Sequence, residues 1–394
     1  MTDRMSSRGA AAHAAPSTGA TVPSSTTLSS VGTRPLVGFW QEYAFSLGEI
    51  DFLQLDVALA AMVFGEWARF ERCLAEGLAC TTRAAAEGLL PPQAVVDEAA
   101  IAFRYERDLI SGTDISAWLE RTGLSTESWM ASITRGVLRQ KWDVEIEALL
   151  DRYGPSPRQL DAAALAEGVC SGLFDEFERS FVGHAAIAFE SDPSSFQSRA
   201  QMSASHADAA VRLARQHAHW LEGRPSAADT HARLRLILEI QRLSRAATDA
   251  AVDDGSLLQV IEANRLEWVV IDSDTLSFGD ESAAREAVLC LTEDRLSMAD
   301  VAGLSRHPMI RTHGFLGDIP ADYRHRVLAA ELGEVIGPLL VDGRFQVTIV
   351  TGRAGPTLAD GHVAACARAV LAEQLARRAA RDHVRRRPVG QDSD

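Results

Sequence analysis

The sequence predicts a mostly helical protein with one α+β domain in its C-terminal third. Through residues 92–250, apolar residues recur at helical spacing between capping residues. At Leu266 the pattern changes, and short apolar runs begin to alternate with helical segments. The predicted organisation is a helical domain over residues 35–265, an α+β domain over 266–352 and a C-terminal helix over 353–387 that packs on the helical domain.

Composition limits the classes of function. The chain has 394 residues and a formal net charge of −15, which excludes a broad nucleic-acid-binding surface. The five cysteines form no CxxC pair, so we expect no disulfide framework and no zinc site, and the pattern is typical of a reducing, cytoplasmic protein. Residues 1–34 and 388–394 are predicted to be disordered tails. No apolar run approaches the roughly 20 residues of a membrane span, and no membrane partner is expected.

Residues 36–70 are unusually rich in large aromatic side chains. Such residues mostly build cores, which favours a core-forming segment. The alternative is a surface on which a partner or a second subunit docks. The residues in question are Phe39, Trp40, Tyr43, Phe45, Phe52, Phe64, Trp67 and Phe70.

Residues 92–142 divide into three predicted helices. The first follows Pro91–Pro92, the second is capped by Thr113–Asp114 and ends at Gly123, and the third is capped by Ser125. Further helices are predicted at residues 161–181, 203–221 and 228–250, with a Ser/Pro linker near Ser191–Ser195.

The α+β domain is predicted to run in the order β-α-α-β-α-β-β. Glu267–Ile271 is the first segment of the chain with a persuasive strand pattern, and His313–Leu316 is the second. Val335–Leu340 and Phe345–Val350 form a hairpin across Asp342–Gly343. The intervening helices are predicted at residues 281–291, 295–304 and 321–332, and one long helix follows at 357–387.

Short motifs in this domain resemble those of parvulin-type prolyl isomerases. Gly333–Pro338 and Asp342–Val347 are similar to the family's closing signature, and Gly314–Gly317 is similar to an upstream strand motif. With the helical region, the chain resembles SurA-like chaperones. More narrowly, through Phe103–Ser125, it resembles PpiC-related proteins assigned to peptide maturation for ribosomally made natural products. The resemblance implies a SurA-like helical module that carries a parvulin-like domain.

The expected catalytic histidines are missing. By the resemblance, the facing histidine pair of active parvulins falls near Trp268 and Gln346, and the floor of the proline pocket falls near Ile319 and Tyr323. We therefore expect no isomerase chemistry, no cofactor and no bound metal. The resemblance implies a non-catalytic accessory protein that holds a precursor or unfolded peptide for separate modifying enzymes. The predicted peptide-binding residues are Trp268, Phe315, Ile319, Tyr323 and Gln346.

Three alternatives stay open at this stage. One is a divergent isomerase in which His307 or His313 replaces the lost pair. Another is an enzyme of unknown type with its site in the helical region, and the third is a scaffold that recruits partner enzymes through residues 36–70.

Other histidines and the arginine-rich end of the chain have simpler explanations. His217 and His219 are two apart and would point to different faces of a helix. Convergence of His307, His313 and His325 on zinc is possible, but surface or structural roles are favoured. The arginine cluster is interpreted as a solvated helix end, and contact with an acidic peptide is the alternative. The cluster comprises Arg377, Arg378, Arg381, Arg385, Arg386 and Arg387.

Overall fold

A computed structural model describes residues 36–193, 206–221, 227–341 and 343–386. The predicted tails at 1–34 and 388–394 lie outside the described residues, as do Asp342 and part of the predicted Ser/Pro linker. Within the described part, the protein is mostly helical and has one α+β domain, which confirms the predicted fold class.

The aromatic segment contains a β-hairpin that was not predicted. Helix α1 (Leu36–Phe39) is followed by strands β1 (Tyr43–Leu47) and β2 (Ile50–Leu53). The prediction that the first strand lies at Glu267–Ile271 is therefore wrong. Gly48 in the turn has φ 58°, and a Cβ there would lie 3.2 Å from the Phe189 ring. Glycine avoids both the strained backbone and this contact.

Six helices follow α2 (Gln54–Phe64) and α3 (Trp67–Glu87), namely α4 (Gln93–Glu106), α5 (Gly112–Thr122), α6 (Thr126–Lys141), α7 (Ile146–Tyr153), α8 (Pro157–Cys170) and α9 (Leu173–Ser191). The three predicted helices over residues 92–142 are confirmed. The cap of α5 is Ser111 and not Thr113–Asp114, because the Ser111 hydroxyl accepts from the Asp114 amide at 3.1 Å. The predicted helix 161–181 is broken at Gly172, which has φ 77°, so Cys170 ends α8 and does not lie mid-helix.

The aromatic segment forms the centre of the helical core. Trp40, Phe45, Phe52, Trp67 and Phe70 are at most 3% exposed. They pack with α9 and with helices α10 (Ala207–Gln216), α11 (Ala218–Leu221) and α12 (Ala227–Ala251). The core-forming interpretation is confirmed, and these buried rings form no docking surface.

The α+β domain contains the predicted order of elements around a four-stranded antiparallel sheet, β4-β3-β6-β5. Helix α13 (Asp254–Ala263) precedes the domain. Its elements are β3 (Val270–Phe278), α14 (Glu281–Thr292), α15 (Met298–Ser305), β4 (Ile310–Phe315), α16 (Ala321–Ala329), β5 (Val335–Val341) and β6 (Arg344–Ala354). Strand β3 begins three residues later than Glu267 and extends to Phe278, so its centre is displaced from the prediction.

The final helix α17 (Gly361–His383) contacts both parts of the molecule. Its first half packs through Val363 and Ala367 against α13 and the sheet, and its second half contributes Ala379 to the helical core. It ends before the predicted residue 387 because the chain continues as strand β7 (Val384–Arg385), which pairs with β1. None of the helices in the described part combines the length and apolar content that crossing a bilayer requires.

Candidate functional site

The predicted proline pocket does not assemble around the two positions that replace the parvulin histidines. Trp268 lies in a turn two residues before β3, while Gln346 lies near the start of β6. Val270 pairs with Ala354 and Ser277 pairs with Gln346. At about 3.3 Å per residue, Val270, which lies two residues after Trp268, is separated from Gln346 by roughly 26 Å along β6. The expectation that these positions face each other is therefore wrong.

Trp268 and Phe315 belong to the packing between the sheet and α17. Their rings stack with centroids 5.8 Å apart, and Phe315 also stacks on His362 at 4.5 Å. Phe315 is buried, and its neighbours include Val270 and Val363. These two side chains hold the C-terminal helix on the domain, which explains their size without a ligand.

Ile319 and Tyr323 lie in a different cluster, between α16 and the sheet. Their neighbours include Ile271 and Val350, and the Tyr323 hydroxyl donates to the Leu340 carbonyl at 3.0 Å. The five predicted peptide-binding residues are thus divided among two core clusters and a distant strand position. They do not share one pocket.

The candidate histidines of the sheet are also separated. His307 packs edge-on against Phe278 at 4.9 Å, whereas His313 is opposite Asp272, six residues earlier on β3. His325 is exposed on α16. Among the described residues, no group of three His, Cys, Asp or Glu side chains has an arrangement suited to a metal ion. The described geometry does not support the alternative of zinc bound by these three histidines.

His217 and His219 meet at a common partner, contrary to the prediction. His217 Nδ1 lies 3.9 Å and His219 Nε2 lies 3.7 Å from Glu71 Oε1, and the Trp220 indole N–H donates to the same carboxylate. The expectation failed because α10 ends before His217, so the two residues are not on one regular helix. Burial acts to raise the pKa of Glu71, but the His217 and Trp220 hydrogen bonds and the two imidazoles together hold it below its ordinary value.

A groove between α9 and α17 is a cavity large enough to hold a ligand. The two helices approach each other at Gly183, where a Cβ would lie 2.9 Å from the Cβ of Ala376. Beside this crossing they leave a groove of about 820 Å³. A glycine opposite an alanine permits the close approach, and the small side chains along α17 leave the adjoining space open.

The groove has an apolar floor. Val182, Ile187, Ala372, Ala380 and Val384 line it, together with the half-buried His184. His184 Nδ1 lies 2.9 Å from the Ser244 hydroxyl. Burial, reinforced by the nearby charge of Arg245, lowers the pKa of His184. The floor is therefore largely uncharged near neutral pH and suits apolar side chains.

The rim of the groove has more positive than negative groups. Its cations are Arg179, Arg377, Arg381 and Arg386, and its carboxylates are Glu176 and Glu373. Both carboxylates are already paired, Glu373 with Arg377 at 2.5 Å and Glu176 with Arg69 at 2.9 Å. Arg386 pairs with Glu178 at 3.1 Å.

Two rim cations are left for a ligand. Within the described part of the chain, Arg179 and Arg381 have no carboxylate partner. The Arg179 guanidinium donates to the backbone carbonyl of Asp175. An anionic group at the rim would meet these two guanidinium groups without displacing an existing ion pair.

Comparisons of the chain with protein-family models, with curated proteins and with solved structures found no match. The resemblance to parvulins therefore rests on the short motifs and on the order of elements. The groove itself was not predicted. Its sequence signals are the small residues at Ala372, Ala376 and Ala380, at helical spacing beside two arginines, but the sequence does not show which helix packs opposite them.

Proposed function

We propose that the protein is a non-catalytic peptide-binding accessory protein that holds a ribosomally made precursor peptide for separate modifying enzymes. The binding site is the groove between α9 and α17. The observation that carries the proposal is the combination of an apolar floor with two rim arginines that have no carboxylate partner among the described residues. The proposal includes a cytoplasmic location, with no cofactor, nucleic acid or membrane taking part.

The chemistry of the groove suits an acidic, amphipathic peptide segment. Its volume of about 820 Å³ accommodates several side chains of a peptide. Apolar side chains would bury against Ile187 and Ala372, and Asp or Glu side chains would reach Arg179 and Arg381. A guanidinium presents a planar pair of donors that matches a carboxylate.

The net charge of −15 opposes an acidic ligand at long range. At physiological salt this field is screened beyond about 8 Å. Contacts at the rim therefore decide the binding.

The alternatives that the sequence left open receive less support. In an isomerase that uses His307 or His313, one histidine would have to act without the other, because the two lie against opposite ends of β3. A scaffold that docks through residues 36–70 would need exposed aromatic rings, and five of the eight aromatic residues of that segment are buried and the other three are half-buried.

Binding can be tested with fluorescently labelled acidic amphipathic peptides and the full chain, using anisotropy. We expect Arg381→Glu to weaken binding by about tenfold, because attraction at the rim becomes repulsion. Arg378→Glu is the matched control. It lies on the same helix, pairs with Glu190 outside the groove and should change affinity less than twofold. Equal losses in both variants, or no binding by the wild-type chain, would contradict the groove assignment.

The absence of catalysis is tested separately. NMR exchange measurements on proline-containing peptides should show line broadening on binding without faster cis–trans exchange, which is intrinsically slow, on the order of tens to hundreds of seconds. Accelerated exchange that survives Arg381→Glu would mean that the protein is an isomerase with a site elsewhere.

A further inference from the structure

Exposed apolar side chains are concentrated in one short part of the helical module. Of the fifteen large apolar side chains that are exposed in the described part, six lie between residues 89 and 110. Their exposure runs from 41% for Leu89 to 67% for Tyr105. Scattered single residues of this kind are ordinary on a protein surface, but a contiguous group indicates an interaction site. The six are Leu89, Leu90, Val95, Ile101, Tyr105 and Ile110.

Helix α4 carries an apolar stripe on each of two faces. Its inner face buries Val96, Ala100 and Phe103, and the Phe103 ring lies 5.5 Å from Trp118 and 5.9 Å from Trp129. At 100° per residue, the outer stripe of Val95, Ile101 and Tyr105 lies on the opposite side of the helix. The inner stripe is sufficient to hold α4 in the fold. The side chains of the outer stripe are 43–67% exposed.

The charges around the outer stripe have one sign. Asp97 and Glu106 border it on either side and Glu98 lies within it, and all three are exposed. None of the three has an ion-pair partner among the residues that the structure describes.

The two arginines of this segment are held by backbone carbonyls. Arg104 donates to the Leu109 carbonyl at 3.0 Å, and Arg107 donates to the Cys170 carbonyl at 2.7 Å. Arg104 also donates to the Ile110 carbonyl at 2.5 Å, at the C-terminal end of the patch. The exposed face of α4 is therefore apolar and bordered by acidic side chains, and Arg104 lies at its Ile110 end, bound to backbone carbonyls.

We propose that the outer face of α4, extended by Leu89, Leu90 and Ile110, docks a cationic amphipathic helix of a partner protein. Such a helix would cover the stripe with its own apolar face and place Lys or Arg beside Asp97, Glu98 and Glu106. The same acidic groups disfavour an anionic lipid surface. This site is separate from the α9–α17 groove and opposite to it in charge, so it suits a second partner and not the same peptide.

The test uses the full chain and two synthetic helices that share the same apolar pattern. The first helix carries lysine on its polar face, and the second carries glutamate. At 150 mM salt, anisotropy should show binding of the lysine helix only. The double change Ile101→Ser/Tyr105→Ser should weaken this binding at least tenfold. Val144→Ser, a 93% exposed apolar residue outside the patch, is the matched control and should leave it unchanged.

The outcomes separate the possible occupants. Equal binding of the two helices, or weaker binding of the lysine helix by the Val144→Ser control, would overturn the proposal. Self-association of the wild-type chain in sedimentation velocity, abolished by Ile101→Ser/Tyr105→Ser, would identify a second copy as the occupant and would also overturn it. Arg381→Glu should not change the affinity for the lysine helix. Failure of this docking proposal and failure of the groove proposal are therefore distinguishable. Circular dichroism of each variant confirms that the fold is intact.

Discussion

At the scale of single residues, a buried ion pair lies inside the helical module. Arg135 Nε lies 2.9 Å from Glu167 Oε2, and both side chains are at most 6% exposed. Arg139 approaches the same carboxylate at 3.6 Å, and the Ser132 hydroxyl donates to it at 3.4 Å. The charge of Glu167 is thus compensated on several sides, which a buried carboxylate requires.

We expect Glu167→Ala to lower the free energy of unfolding by about 3–5 kcal/mol, because it leaves Arg135 buried without its partner. Urea denaturation followed by circular dichroism measures this loss. The double variant Arg135→Met/Glu167→Leu should lose less, since no unpaired charge stays behind. Glu147→Ala, which removes an exposed partner of Arg72, should cost no more than about 1 kcal/mol. Similar losses for Glu167→Ala and Glu147→Ala would show that burial of the pair is unimportant.

At the scale of elements, His313 joins the sheet to the start of α17. His313 Nδ1 on β4 lies 2.7 Å from Asp272 Oδ1 on β3, and its Nε2 lies 3.7 Å from Asp360 Oδ2. Asp360 caps α17 by accepting from the amides of His362 and Val363. The hydrogen bond with Asp272 and the charges of Asp272 and Asp360 raise the pKa of His313. The nearby groups of like charge are Arg311, which lines the same cavity as His313 and pairs with Asp274 at 3.3 Å, and, when protonated, His362, whose ring lies 6.5 Å away.

This arrangement gives His313 a pH-dependent contribution to stability. A pKa raised in the folded state stabilises the fold fully below the unfolded value of about 6.5, and the effect is lost as pH rises through the folded value. The difference in unfolding free energy between wild type and His313→Gln should therefore be largest below about pH 6.5 and should shrink at higher pH. Denaturant midpoints across pH 5–9 measure it, with His325→Gln as the exposed control. A difference in unfolding free energy that grows with pH would show that folding lowers the pKa of His313 and does not raise it.

Comparison of the predicted and observed elements shows which of them local sequence signals can predict. Caps and periodicity located α4, α6 and the β-α-α-β-α-β-β order, because these depend on residues near in sequence. The hairpin of β1 and β2 was missed since its aromatic residues suit helix and strand equally, and pairing across Gly48 decides between them. The helix 161–181 was not recognised as two because glycine within a helical pattern is tolerated in one context and ends a helix in another.

At the scale of the whole molecule, α17 connects the two parts through opposite halves. Val363 and Ala367 pack with the sheet, Ala379 packs in the helical core, and β7 pairs with β1. Unfolding of the α+β domain is therefore expected to be coupled to that of the helical module. The groove shares this dependence, because one of its walls is the second half of α17.

We expect Ala379→Asp to uncouple the two parts and to abolish peptide binding in the groove. It places an unpaired carboxylate at a position with 0% exposure, which is costly. Calorimetry should show two transitions where the wild-type chain shows one. Ala369→Asp, on the exposed side of the same helix, should keep a single transition and full binding. Two transitions in the wild-type chain would contradict the coupling.

By itself, the sequence determined the class of fold, the order of elements in the α+β domain, most helix boundaries and the aromatic core, because these follow from apolar periodicity, capping residues and turn chemistry within short windows. The tertiary structure decided where function can reside. The motifs predicted one shared site for Trp268, Phe315, Ile319, Tyr323 and Gln346. The strand register instead places these residues in separate parts of the domain. The α9–α17 groove depends on two helices about 200 residues apart in the chain meeting at Gly183 and Ala376. Such a contact is set by packing of the whole chain, and no local pattern records it.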